Sequence, residues 1–98
     1  MGASEARAVM ARALEIQRLD TEGSISVLRL YGELHPLTTA PLRRAVRRCA
    51  QEKRHLLILD LQGLSYVSSS GVGELLWARE HMRGAGGSLS LVGMNVYT

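Results

Sequence analysis

Two different hydrophobic periods run along this chain. Leu14 and Ile16 alternate with Glu15 and Gln17 between Leu14 and Leu19, and the period of two returns from Ile25 to Tyr31. There Ile25, Val27 and Arg29 fall on one side, and Ser26, Leu28 and Leu30 on the other. Such alternation predicts half-buried strands, and the glycine-containing turn from Asp20 to Ser24 predicts that they form a hairpin. Gly32 and Pro36 are expected to end the second strand. From Thr39 to Gln51 the period lengthens. Leu42, Ala45, Val46 and Cys49 stand at i, i+3, i+4 and i+7, one stripe of a helix, with Arg43, Arg44, Arg47 and Arg48 opposite. Thr38 or Thr39 can supply its N-cap oxygen, and Pro41 suits its first turn. His55 to Leu61 is a near-continuous apolar run, which predicts a buried central strand. Gln62 to Val67 is expected to turn the chain. A second helix is predicted from Ser69 to Arg83, ended by the glycines of "GAGG", and a last strand from Ser88 to Gly93. Residues 4–12 suggest a short helix capped by Ser4. The fold class is therefore α/β: a single domain with a mixed sheet in the order β-β-α-β-α-β, the main helices on one face.

Composition adjusts this picture only slightly. The 98 residues suit one domain, and the absence of phenylalanine leaves the core to aliphatic side chains. Twelve basic residues against nine acidic ones give +3, too mild an excess to imply nucleic acid. No aromatic residues are interleaved with the arginines for base stacking. The single cysteine, Cys49, excludes an intramolecular disulfide and fits a reducing compartment. No apolar run approaches the ~20 residues of a membrane span. The N-terminus lacks the basic start and apolar stretch of a secretory signal. A cytoplasmic location is expected.

Catalytic constellations are missing from the pattern. "SSSGVG" does not match the G-x-S-x-G elbow, and His35, His55 and His81 are scattered without triad context. "GVGELLWA" lacks the lysine of a phosphate loop, and no His/Cys/Asp/Glu group has metal-ligand spacing. No enzyme, cofactor or metal is expected. What stands out is Ser68-Ser69-Ser70 at the mouth of the second helix. One serine satisfies capping. A helix N-terminus also tolerates phosphate, because its free N–H groups and dipole favour an anion.

"LRLYGELHPLTTAPLRRAV", "LLILDLQGLSYVSSSGVGELL" and "GAGGSLSLVG" together resemble the STAS domain of bacterial anti-sigma factor antagonists, from about Leu14 to Gly93. The resemblance implies a domain over residues 13–98, preceded by an extension over residues 1–12. It implies that Ser69 is the phosphoacceptor, with Ser68, Ser70, Gly71 and Gly73 as its neighbours. Two positions depart from the family pattern: Ser68 and His35 stand where aspartates are common. The implied function is binding of an anti-sigma factor, a serine kinase, with release on phosphorylation of Ser69. The alternatives are a STAS scaffold subunit of a signalling assembly and a transporter-associated accessory domain. On a helical wheel Val72, Leu75, Ala78 and Met82 face the sheet, with Arg79 beside them, while Gly73, Glu74, Trp77, Glu80 and His81 face away. The partner surface is accordingly assigned to His35, Thr38, Thr39, Glu74, Trp77, Glu80 and His81. The family usually continues into a C-terminal helix. With the chain ending at Thr98, three readings are expected to compete: a short member, a truncated chain, or cover by the N-terminal segment; apolar surface left open at this edge would favour a homo-oligomer.

Overall fold

A computed structural model describes residues 13–94 of the chain. The helix expected over residues 4–12 lies outside the described residues. Strands β1 (Leu14–Thr21) and β2 (Ile25–Leu34) form the hairpin, followed by helix α1 (Thr39–Gln51), strand β3 (Leu56–Val67), helix α2 (Ser69–Gly84) and strand β4 (Ser88–Val92). The sheet order is β1-β2-β3-β4, with β1 antiparallel to β2 and the other pairs parallel. The mixed sheet and element order agree with the expectation.

Two strands outrun their sequence signals. Gly32 does not end β2: it adopts φ +105° at a register irregularity, where a side chain would collide with the Ala13 carbonyl, and the strand continues to Leu34. Nor does Gln62–Val67 turn the chain. It stays in β3 because the extended β2 supplies a ladder partner, with Tyr31 beside Gly63 and Leu34 beside Val67.

One sheet face carries the core. Leu28 and Leu30 of β2 and Leu57, Leu59 and Leu61 of β3 meet Leu42, Val46 and Cys49 of α1 and Leu75, Ala78 and Met82 of α2. Both helices therefore cover the same face. Burial pushes the Cys49 thiol pKa up, so this cysteine packs as a small apolar group. A polar clasp closes the far end of the layer. Arg18 of β1 binds both Asp20 and Glu52, the residue that ends α1, and buried Ser26 donates to Asp20 and accepts from Arg54. At the opposite edge, Leu91, Val92 and Met94 are exposed.

The core assignment has a measurable consequence. Leu59→Ala should destabilise the domain by about 2–5 kcal/mol in urea unfolding. Leu76→Ala, on the exposed side of α2, should change it by less than ~0.5 kcal/mol. Equal losses would contradict the burial pattern.

Candidate functional site

Because β2 and β3 are parallel, α1 and α2 both begin at the carboxyl ends of these strands. The site is built there. Ser68, in extended conformation, caps α2: its hydroxyl accepts from Gly71 N at 3.0 Å and lies 2.9 Å from the Ser70 hydroxyl. Its backbone N donates to the Leu34 carbonyl at 2.9 Å, tying the helix start to the end of β2. Ser70 and Ser68 thus occupy each other and the cap, while Ser69 is exposed in the first turn with the uncommitted hydroxyl of the three.

The two glycines differ. Gly71 is buried, and a Cβ there would lie 2.6 Å from the Leu34 carbonyl oxygen and 3.0 Å from Val67 Cγ1. It is the close-packing point of α2 on the sheet. Gly73 faces open space. Gly71 also takes the sheet-facing place assigned to Val72, which is 50% exposed. The stripe Gly71, Leu75, Ala78, Met82 runs i, i+4, i+7, i+11, a regular pattern hidden because a glycine does not register as apolar. Arg79, placed beside the apolar stripe, is exposed. Ser69, Val72 and Leu76 share the face turned outward, and Leu76 is 58% exposed. Tyr66 and Leu37, 53% and 90% exposed, stand at the same end of the domain. Sequence reasoning missed these four apolar residues. Val72 and Leu76 read as ordinary apolar positions of a periodic helix, whereas Leu37 and Tyr66 stand in segments expected to be turns, where the sequence carries no signal for them.

The assigned partner residues divide four ways. Thr38 is buried. Its hydroxyl donates to the Glu33 carbonyl at 2.8 Å and accepts from His35 N at 3.0 Å, so it pins the turn into α1 instead of capping it or facing a partner. His35 is half-buried, its Nδ1 accepting from Leu37 N and its Nε2 3.7 Å from the Glu33 carboxylate. Thr39 is half-buried with its hydroxyl towards Pro36 O at 3.4 Å. Glu74 and Trp77 do not point to solvent but to α1, which a single-helix wheel cannot include, and half-buried His81 packs on Trp77. Arg43 forks onto Glu74 through two bonds of 2.6 and 2.7 Å. Trp77 stacks on His81 with ring centroids 4.9 Å apart, and the Arg43 and Arg47 guanidiniums lie 4.9 and 5.5 Å from its ring centroid. Arg43 is accordingly a seam residue, not part of a solvated face. Glu80 is exposed, 3.6 Å from Arg83.

No group of His, Cys, Asp and Glu suited to a metal occurs among the described residues, and no helix there is long and apolar enough to cross a membrane. The chain is thus an α/β domain that exposes the Ser69 hydroxyl and apolar side chains at the carboxyl end of a parallel strand pair. The family comparison is direct: the model described as "Mlab, STAS domain" matches residues 17–97, and the chain belongs to the STAS domain family. Among solved structures, it is similar to the anti-sigma factor antagonist SpoIIAA in its unphosphorylated form, with TM-score 0.69 and 23% identity over 83% of this chain and 74% of that one. A STAS-domain anti-sigma factor antagonist from Rhodobacter sphaeroides gives TM-score 0.67 and 21% identity, covering 87% and 91%. The murine anion transporter Slc26a9 gives TM-score 0.72 and 17% identity over 95% of this chain but 18% of the transporter. At these identities the likeness concerns the fold.

Two measurements follow. Gly71→Ala should cost about 1–3 kcal/mol through overpacking against Leu34, whereas Gly73→Ala should stabilise by about 0.5–1 kcal/mol, as expected for a helical glycine in open space. Loss of equal size at both positions would refute the close-approach role of Gly71. The second concerns pH. The Arg43 guanidinium holds the Glu74 carboxyl below its ordinary pKa, against an opposing contribution from burial. A lowered folded-state pKa stabilises above the unfolded value, and that contribution disappears as pH falls through the folded one. Thermal melts from about pH 6 down to about pH 3, a range that brackets the ordinary carboxylate pKa, should therefore drop less steeply in Glu74→Gln. Part of the drop should remain, because Arg18 likewise lowers Asp20 and Glu52.

Proposed function

We propose that the protein is an anti-sigma factor antagonist: a binding module, not an enzyme, that engages an anti-sigma factor kinase through the outward face of α2. The observation carrying this reading is the free Ser69 hydroxyl at the edge of an apolar strip formed by Val72 and Leu76. An unmodified serine leaves that strip available for docking. Phosphate at Ser69 would add about −1.5 to −2 charges beside it, and desolvating that charge would oppose the complex. The helix N-terminus would meanwhile accommodate the dianion without unfolding. Ser68 in place of the family aspartate is consistent with this, since serine and aspartate cap comparably and the cap is in place. The departure removes a carboxylate from beside the acceptor, so the kinase must recognise the site without it.

The test is incubation with the cognate serine kinase and ATP, with the product mapped by mass spectrometry. Phosphate on Ser69, absent from Ser69→Ala, together with at least ~10-fold weaker kinase binding by Ser69→Glu, is the expected result. No modification by a kinase that phosphorylates a known substrate would reject the switch. Capture of transporter subunits in place of an anti-sigma factor would replace this reading with the transporter-associated one.

A further inference from the structure

We propose that a groove on the other side of α1, between that helix and β1, docks an acidic amphipathic helix of a partner protein. The groove has a volume of about 340 Å³ and opens to solvent. Leu14, Ile16 and Ala45 form its apolar floor. These side chains are only half-buried, although Leu14 and Ile16 project from the same sheet face as the core. Arg44 and Arg48 rise from α1 along its rim, one turn apart. Both are exposed, and neither forms an ion pair with a carboxylate among the described residues. The nearby acid Glu52 is already held by Arg18, and the other two arginines of α1 are turned to α2 at Glu74 and Trp77. Like charges at i and i+4 repel, so this pair leaves an excess of positive charge above an apolar trough, offset only in part at Arg48 by the charge of Glu52.

That combination selects its occupant. A helix with an apolar stripe and glutamates or aspartates along its flank would bury the stripe on Leu14 and Ile16 and meet Arg44 and Arg48 with its acids. Residues 1–12 of this chain are a poor match, because Arg7 and Arg12 outnumber the one acid, Glu5. Nucleic acid would find no aromatic platform in the groove. A planar lipid surface would touch the arginine ridge but not the recessed floor. The groove lies on the side of α1 away from α2, so the proposal stands independently of any role for Ser69.

The probe is a fluorescein-labelled peptide of about 18 residues, five helical turns, with leucines at i, i+3, i+4 and i+7 spacing and glutamates on the flanks. Added to the full chain, it should bind with salt-sensitive affinity. It should shift the amide NMR signals of Leu14–Arg18 and Leu42–Arg48. Arg44→Glu/Arg48→Glu should weaken binding at least ~10-fold, while Arg79→Glu/Arg83→Glu, with the same net charge but changed on α2, should not. Circular dichroism checks that both variants remain folded. No shifts in those segments at millimolar peptide, or equal weakening by both variants, would overturn the proposal. So would binding only after residues 1–12 are removed, which would give the groove to this chain's own segment. Charge-reversal loss of binding to phosphatidylglycerol vesicles, with the peptide unbound, would assign the ridge to lipid instead.

Discussion

Parallel pairing of β2 with β3 is the constraint from which the rest of the architecture follows. Two parallel neighbours need a crossover, and a right-handed crossover places α1 on one face of the sheet. The same requirement between β3 and β4 places α2 on that face. Both helices then start at the same end of the domain and lie side by side. The burial of Leu28, Leu30, Leu57 and Leu59 beneath them stabilises this arrangement, and reversing one strand would take its core side chains out of register with the helices.

The start of α2 is where this scaffold becomes specific. Gly71 allows the helix to approach the end of β2 within the space of a missing methyl, and Ser68 bonds both Leu34 and the helix interior. Position and orientation of the first turn are thereby determined by backbone contacts. Ser69 is presented on a rigid support, outside every bond that builds the cap. A site of this kind separates structural duty from chemical availability among three adjacent, chemically identical residues.

The α1–α2 seam has the opposite character. Arg43, Glu74, Trp77, Arg47 and His81 are residue types that would read as recognition groups on an isolated helix, but here they recognise one another. The Arg43 guanidinium is both a fork on a carboxylate and a cation near an aromatic face. The seam consumes the polar groups between the helices and leaves the two outer flanks different: apolar with a hydroxyl on α2, apolar with unpaired arginines on α1.

The element order, the central strand, both helices and the capping role of the serine cluster were legible in the sequence, because each is written in local period, turn chemistry or hydroxyl placement. Strand length was not. Gly32 and Gln62–Val67 look like breakers until the neighbouring strand supplies hydrogen bonds that compensate for them. The orientation of α2 was only partly legible, since Gly71 faces the sheet for lack of a side chain and not for hydrophobicity. Thr38 read as a capping or partner residue until the fold enclosed it beneath Glu33 and His35. The sequence by itself therefore determined the order and type of the elements and which serine precedes the helix, because these depend on neighbours a few residues away. Only the tertiary structure decided which polar side chains are spent inside the molecule. Arg43 and Glu74 are 31 positions apart in the chain, and nothing local to either announces a contact that exists only once two crossovers lay the helices together.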